Sequence, residues 1–197
     1  MPFDYTNAPP PSFDLIPDDT VATVSIHIQS GGVGEDGMLK RSKDGACEMF
    51  AGEFTLLDGT YKSRKFWHHL ILAGTTDGQK KMVGDSLGVL KAILDSALGL
   101  NPKDESDAAR AARTVSLKWF EGKSFIAKIG IEKGGPKNDG SGGNWPDKNI
   151  LAGVITPDKK DWHPVEQPPP FDGGRGSAAA PTSSTPAAPV ERPGWAQ

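Results

Sequence analysis

The segment at residues 61–72, YKSRKFWHHLIL, is the main indicator of the fold of this chain. The stretch opens with lysine and arginine, passes through Phe66 and Trp67, and ends apolar. This composition is typical of a β-strand with one basic, aromatic end. The preceding Asp58 and Gly59 predict a tight turn, because glycine accepts the positive φ that a primed turn requires. We therefore expect a hairpin that displays cations and aromatic rings on a sheet.

Alternation divides this strand into two faces. Phe66 and Leu70 share one phase and are expected in the core. Trp67 and His69 share the other phase with Lys65, and these side chains are expected to point outward. Two alternatives remain open. Large aromatic side chains are commonly mostly buried, so Trp67 could pack beneath a loop or the N-terminal arm, and a hairpin with a solvated basic end would look the same.

Period-two alternation of apolar residues predicts four further strands. They cover residues 20–29, 46–57, 123–132 and 149–156. In the second of them the apolar phase changes near Ala51 and Gly52, which indicates a β-bulge at that point. The single cysteine, Cys47, lies in the same strand and is expected to be a small core residue.

Between residues 81 and 100 the apolar residues recur every three or four positions, as in an amphipathic helix. Gly99 can take the left-handed conformation that ends a helix, and Pro102 prevents its continuation. A second, more polar helix is predicted at residues 105–113. The predicted order is strand, strand, strand, helix, strand, strand. That order is typical of a mainly β protein with an OB-fold, a five-stranded Greek-key β-barrel, here with the helix between strands 3 and 4.

Composition divides the 197 residues into a domain and two flanking segments. Residues 1–19 are rich in proline and predict an irregular N-terminal arm, whereas residues 20–165 hold the OB-fold-like domain. Residues 166–197 are rich in proline, alanine, glycine and serine, and predict a disordered tail. No apolar run reaches the ~18 residues that span a membrane, and no signal peptide is recognised. We expect a cytoplasmic protein with no membrane partner.

Motifs for catalysis or metal binding are not recognised. Gly32 to Gly37 match GxGxxG literally, but no amphipathic helix follows, so dinucleotide binding is not expected. His68 and His69 would point to opposite faces of a strand and cannot ligate one ion. Nothing resembles a nucleophile elbow or a P-loop. We expect a non-enzymatic protein with no metal and no cofactor.

Two long, glycine-rich loops accompany the predicted hairpin. They span residues 30–45 and 134–148, both carry lysines, and the second holds Trp145. An OB-fold binds its ligand across strands 2 and 3 and with the loops that join strands 1 to 2 and 4 to 5. Proteins bind unpaired nucleic acid with cations along the phosphates and rings against the bases. Because the net charge is −3, such binding would depend on local clustering of cations.

The candidate DNA-binding residues come from the hairpin and the two loops. The expected phosphate contacts are Lys40, Arg41, Lys43, Lys62, Arg64, Lys65, Lys133, Lys137 and Lys148. The expected stacking residues are Trp67, His69 and Trp145. Two other functions remain open: a protein-interaction module that recruits a recombinase, nuclease or host factor, and an oligosaccharide-binding or virion structural barrel.

Several segments between residues 14 and 158 resemble a family of uncharacterised proteins encoded by bacteriophages and prophages and similar to single-stranded-DNA-binding proteins. The most specific segments are the strand AKIGIEKG at 127–134 and the hairpin residues Gly59, Tyr61, Arg64, Lys65, Phe66 and Trp67. The resemblance implies an OB-like domain in a bacterial host cell, with a role in phage DNA replication or recombination. The expected partners are single-stranded DNA and phage replication or recombination proteins, and an oligomer is possible.

The resemblance does not extend to the C-terminus. Bacterial single-strand binders typically end in an acidic tip that recruits partners. This chain ends GWAQ, with Arg192 nearby, so recruitment by that route is not expected.

Overall fold

The computed structural model describes residues 14–34, 36–137 and 142–167. Its elements are β1 (Thr20–Ile28), β2 (Leu39–Arg41), β3 (Cys47–Leu56), β4 (Lys65–Gly74), α1 (Asp77–Leu98), α2 (Asp107–Ala112), a 3₁₀ turn (Leu117–Phe120), β5 (Ser124–Glu132) and β6 (Lys148–Ile155). The prediction of a mainly β fold with a helix between the third and fourth long strands is confirmed. Residues 1–13 of the predicted arm and 168–197 of the predicted tail lie outside the described residues. In the described part, no helix is long and apolar enough to cross a membrane.

The six strands form one antiparallel sheet. β1 lies at its centre, between β3 and β5, and β6 pairs with the far side of β5. β3 pairs with β1 and β2 along one edge and with β4 along the other. β4 and β6 approach each other but share no ladder within the described residues, so the sheet is open between these two strands.

The sheet contains one strand more than the five predicted. β2 forms inside the segment that was expected to be a loop, and it pairs with β3 through Leu39 and Phe50. Both of these side chains are buried, so apolar contact holds this part of the segment on the sheet. Lys40 and Arg41 consequently lie on a strand and not in a loop.

The connection between β3 and β4 is longer than predicted. Residues 57–64 form a loop, and the carboxylate of Asp58 accepts a hydrogen bond from the backbone N–H of Thr23 on β1, at 3.1 Å. The prediction of a tight Asp-Gly turn is therefore wrong, because Asp58 ties the loop to the neighbouring strand. Lys62 and Arg64 belong to this loop and precede β4.

The core lies between one face of the sheet and helix α1. Phe54 of β3 stacks on Phe66 of β4 with their ring centres 5.1 Å apart. Phe54 also meets the ring of Phe125 on β5 edge to face, at 6.1 Å. Leu90 and Ile93 of α1 belong to the same buried cluster. Phe66 and Leu70, the residues of β4 expected in the core, both belong to this cluster.

Gly52 makes room for this aromatic cluster. A β-carbon at position 52 would lie 2.7 Å from the ring of Phe54, closer than such atoms can approach. The sequence predicted a bulge at Ala51 and Gly52, but the ladder between β3 and β4 shifts register between Glu48 and Met49. The predicted position is wrong, because the glycine serves packing and not a bulge.

Helix α1 begins and ends at well-defined caps. Thr76 and Gln79 form a capping box at its start, and Gly99 takes the left-handed conformation with φ 69° at its end, as predicted. Most residues in the first half of the helix are exposed, and Leu87 is 56% exposed although it follows the apolar period. Only the second half of α1 packs on the core.

A buried ion pair joins α1 to the segment that contains α2. Asp95 is fully buried, and Nε of Arg113 donates a hydrogen bond of 2.6 Å to its Oδ1. Lys91 approaches Oδ2 from the exposed side at 3.0 Å. Arg113 also donates to the backbone carbonyls of Asn101 and Asp104, so one guanidinium fixes the connection between the helices.

The segment after β6 packs across the end of α1. The indole of Trp162 donates a hydrogen bond to the carbonyl of Ser96 at 3.2 Å. Gln167 donates to the carbonyls of Ser124 and Ala97 and accepts from the N–H of Ser124. The chain is therefore held against the domain as far as Gln167.

Candidate nucleic-acid interface

The two faces of β4 are divided as alternation predicted. Phe66 and Leu70 are buried, whereas Lys65, Trp67 and His69 lie on the outer face. Trp67 exposes 49% of its surface to solvent. None of the described loops therefore buries Trp67. The other form of the alternative, packing beneath the N-terminal arm, falls largely on residues 1–13, which lie outside the described residues.

A cleft of about 880 Å³ lies where the sheet is open. Arg64, Lys65 and Trp67 line its β4 side. Lys148 and Asn149, at the start of β6, line the opposite side. At this opening, the cationic and aromatic start of β4 lies opposite the cationic start of β6. The two strands are far apart in the sequence.

The segment before β1 fills part of the gap between β4 and β6. Ile16 is buried in the core, and its backbone N–H and carbonyl are both hydrogen-bonded by the side-chain amide of Asn149, at 2.9 and 2.8 Å. Arg64 donates a hydrogen bond to the backbone carbonyl of Asp14. Arg64, a candidate phosphate contact, therefore also holds the segment before β1.

A second cleft of about 390 Å³ adjoins the first and shares Pro146 and Lys148 with it. Lys133 and Trp145 line this cleft, and Trp145 is 55% exposed. Nζ of Lys137 lies over the Trp145 ring, 5.2 Å from its centre, within the range of a cation–π interaction. The two clefts together are called the β4–β6 groove below.

Backbone contacts fix the position of Trp145 in the hairpin between β5 and β6. Its N–H donates a hydrogen bond of 2.8 Å to the carbonyl of Gly135. The N–H of Lys137 donates to the carbonyl of Gly143 at 3.0 Å, one step further along the hairpin. The ring of Trp145 is therefore presented by paired backbone, although glycine-rich composition predicted a loop.

The lysines of the groove are paired with carboxylates. The pairs are Lys65 with Glu53 at 2.5 Å, Lys133 with Asp147 at 2.7 Å, and Lys148 with Glu132 at 3.3 Å. Hydrogen bonds from Lys133 and the N–H of Gly134 lower the pKa of Asp147, and the hydrogen bond to Asp147 raises the pKa of Lys133. Exposed ion pairs contribute little free energy, so the phosphates of a ligand can compete with these carboxylates.

Glu53 is a site residue that sequence reasoning missed. It lies opposite Trp67 in the ladder between β3 and β4, and its carboxylate accepts hydrogen bonds from Lys65 and from the indole of Trp67. These hydrogen bonds, led by that of Lys65, lower the pKa of Glu53. Cross-strand register is the signal that identifies Glu53, and the register depends on the length of the loop that joins the strands.

His69 lies on the same face of β4, two residues beyond Trp67. Burial lowers the pKa of His69 below its usual 6.5, and the nearby charges of Lys40 and Lys148 lower it further. The ring is therefore mostly neutral at pH 7. Lys40 itself donates a hydrogen bond to Gln29 at 2.9 Å, which places this lysine beside the groove on the same face.

Five of the predicted phosphate contacts line neither cleft of the groove: Lys40, Arg41, Lys43, Lys62 and Lys137. Of these, Lys137 still lies over the ring of Trp145, and Lys40 lies near His69. Arg41 follows Lys40 on β2 and forms an ion pair with Glu48 at 2.7 Å. Lys43 and Lys62 are exposed in the loops before β3 and before β4. The structure therefore gathers Arg64, Lys65, Trp67, Lys133, Lys137, Trp145 and Lys148 but does not place Arg41, Lys43 and Lys62 with them.

Within the described ranges, no group of three or more histidine, cysteine or acidic side chains is arranged to hold a metal ion. Comparison of the chain with protein-family models, with curated proteins and with solved structures finds no match. The geometry of the β4–β6 groove is therefore the main basis for assigning a function.

Proposed function

We propose that this chain is a non-enzymatic, sequence-independent single-stranded-DNA-binding protein and that the β4–β6 groove is its binding site. The observation that carries the proposal is the placement of two half-exposed tryptophans, Trp67 and Trp145, on adjoining clefts that share Lys148. Unpaired strands are bound by such rings, on which bases stack, and by cations that follow the backbone.

Each ring offers about half of its surface to a ligand. Lys137 lies over the Trp145 ring, where it adds a positive charge beside the site proposed for a stacked base. Trp67 is held through its indole N–H, which donates to Glu53. Productive stacking on either ring contributes roughly 1 to 3 kcal/mol of binding free energy.

The pairing of the strands supports an OB-like interpretation of the open sheet. β1 pairs with β3 and β5, β3 with β4, and β5 with β6, which is the order expected of an OB-fold once the short β2 is set aside. An OB-fold binds its ligand across its second and third strands, which correspond here to β3 and β4. We propose that the gap between β4 and β6 is part of that ligand site.

The cellular role proposed is in phage DNA replication or recombination in the cytoplasm of a bacterial host. The resemblance of the hairpin and of the strand AKIGIEKG to phage-encoded proteins supports this role. Sequence-independent protection of unpaired strands needs no bound cofactor and no catalytic group, in keeping with the chemistry of the groove.

Titration with oligo-dT, followed by tryptophan fluorescence, tests the proposal. We expect quenching at low salt, an affinity that falls steeply as salt rises because bound cations are released, and much weaker binding of duplex DNA. Substitution of Trp67 and of Trp145 should each remove part of the quenching. Absence of quenching at low salt, or equal affinity for duplex, would contradict the proposal.

A second function, a protein-interaction module that recruits a recombinase, nuclease or host factor, is favoured by one observation. Met82 and Leu87, in the first half of α1, are 51% and 56% exposed. Substitution of Trp67 and Arg64 should abolish DNA binding and leave partner pull-down intact if the first function is correct. If the second function is correct, replacement of Met82 and Leu87 by serine should abolish partner pull-down and leave DNA binding intact.

A further inference from the structure

Two side chains of β4 converge on the carboxylate of Glu53 on β3. Nζ of Lys65 lies 2.5 Å from its Oε1, and the indole Nε1 of Trp67 donates to its Oε2 at 3.2 Å. One anion therefore connects two candidate DNA-binding residues, one expected to contact phosphate and one expected to stack a base.

Glu53 lies within the proposed binding face and not at its edge. β3 pairs with strands on both sides at this point, so that Glu53 is flanked by His27 on β1 and Trp67 on β4. The Glu53 side chain is only 14% exposed, whereas that of Lys65 is 50% exposed. A phosphate that approaches Lys65 therefore meets a fixed negative charge beside it, which weakens their attraction.

The same carboxylate also orders an aromatic ring. An exposed tryptophan gains free energy from stacking only after it loses rotational freedom, so a ring that is already held binds a base at a smaller entropic cost. The hydrogen bond to Oε2 holds Trp67 at its edge, where a stacked base does not contact it. Glu53 thus opposes binding through Lys65 and favours it through Trp67.

We propose that Glu53 sets the affinity of the β4–β6 groove, as an internal anion that occupies Lys65 and positions Trp67 until a strand phosphate takes its place at Lys65. The inference rests on the proposed single-strand binding. On binding, the ammonium of Lys65 exchanges Glu53 for a phosphate oxygen, and the indole N–H of Trp67 stays on Glu53. Glu53 is a positioning residue in this exchange and does not contact DNA.

Two substitutions separate the two roles of Glu53. Glu53→Gln removes the charge and keeps an oxygen that accepts from Trp67, whereas Glu53→Ala removes both. Because a partly exposed ion pair contributes up to about 1 kcal/mol, Glu53→Gln should tighten binding of oligo-dT roughly two- to fivefold at low salt. It should also steepen the salt dependence, by up to about 0.7 in the logarithmic slope, because Lys65, no longer neutralised by Glu53, allows one more counterion to be released on binding.

An abasic oligonucleotide provides phosphates without bases and is the second probe. Glu53→Ala and Glu53→Gln should tighten its binding equally, since only the charge at Lys65 matters. For oligo-dT, affinity should increase less in Glu53→Ala than in Glu53→Gln, because Glu53→Ala no longer holds the ring of Trp67. Acrylamide quenching of the free protein should increase in Glu53→Ala and stay near the wild-type value in Glu53→Gln.

Two matched variants control the experiment. Glu105→Gln makes the same change in net charge at an exposed acid paired with Arg110, away from the groove, and should leave the affinity nearly unchanged. Lys65→Met in the Glu53→Gln background should abolish the gain, because the gain requires the released ammonium. This double-mutant comparison isolates the coupling between positions 53 and 65.

The outcomes separate the inference from the function on which it rests. If the wild-type protein binds oligo-dT and Glu53→Gln behaves like Glu105→Gln, the inference is overturned and the proposed function stands. A gain that persists without Lys65 also overturns it. If neither the wild-type protein nor Glu53→Gln binds at low salt, both are wrong. Binding by Glu53→Gln alone would support the inhibitory role of the carboxylate.

Discussion

The backbone at Gly134 lies so close to Trp145 that a β-carbon at position 134 would be 1.6 Å from the carbonyl oxygen of Trp145. Only glycine fits there, because the obstacle is backbone and cannot rotate away. Gly134→Ala should therefore push the two sides of the β5–β6 hairpin apart and displace the ring of Trp145. We expect weaker binding of oligo-dT and a changed Trp emission. Gly135→Ala is the matched control, since no atom lies within 4 Å of its added β-carbon.

Substitution of Trp67 should reduce affinity according to how much of the ring is lost. Trp67→Ala removes the stacking surface and should cost roughly 1 to 3 kcal/mol of binding free energy, measured by anisotropy with labelled oligo-dT. Trp67→Phe keeps a ring but loses the hydrogen bond to Glu53, and should cost less. Trp119, which packs edge to face on Phe120 and lies in neither cleft, is the control, and Trp119→Phe should leave affinity unchanged.

The affinity for DNA should depend on pH through His69. Its pKa is lowered, first by burial and then by Lys40 and Lys148, so the ring gains its proton only below pH 6.5. Because a bound phosphate favours the protonated ring, affinity for oligo-dT should rise as pH falls below 6.5 at constant ionic strength. His69→Gln should flatten this rise. An unchanged rise in that variant would assign it to another group, such as His68.

The stability of the fold should also depend on pH, because His68 and His69 are partly buried. Both have a lowered pKa in the folded state, with burial as the first cause, whereas the unfolded chain takes up protons near the usual value. The unfolded state therefore binds more protons as pH falls below 6.5, and the free energy of unfolding should decrease over that interval. Thermal melts between pH 7 and pH 5 measure this decrease, which should be smaller in His68→Asn.

Arg113 should be important for stability although it is remote from the groove. Arg113→Met leaves the fully buried Asp95 without its partner at 2.6 Å, and breaking a buried pair in this way costs about 3 kcal/mol of unfolding free energy. Lys91→Met removes the partner on the exposed side and should cost much less. Urea unfolding of the two variants checks the difference, and equal losses would contradict the assignment of Arg113 as the main partner.

Local patterns predicted the elements of the fold well. Alternation placed Phe66 and Leu70 in the core, and the left-handed cap at Gly99 marked the end of α1. These features depend on neighbours within a few residues, which is why the sequence reveals them. Leu87 shows the limit of the helical period, because this apolar residue is in phase with the buried residues of α1 and is nevertheless exposed.

The groove could be predicted only in part, because it depends on register and on distant contacts. A tight turn at Asp58 and Gly59 would pair Glu53 with Arg64, whereas the longer loop pairs it with Trp67. Trp67 and Trp145 were expected as stacking residues from composition, but their adjoining clefts result from the approach of β4 to β6. Nothing local in the sequence encodes that approach.

The hydrogen bonds between Ile16 and Asn149 affect when the protein can complete its fold during synthesis. These residues are separated by 133 positions, and closing so long a loop is entropically costly, so their contact is expected late in folding. A nascent chain that has left the ribosome as far as α1 already carries the basic hairpin, but it lacks Trp145, Lys148 and the residue that anchors Ile16. The ability to hold a single strand is therefore expected only once translation has passed β6.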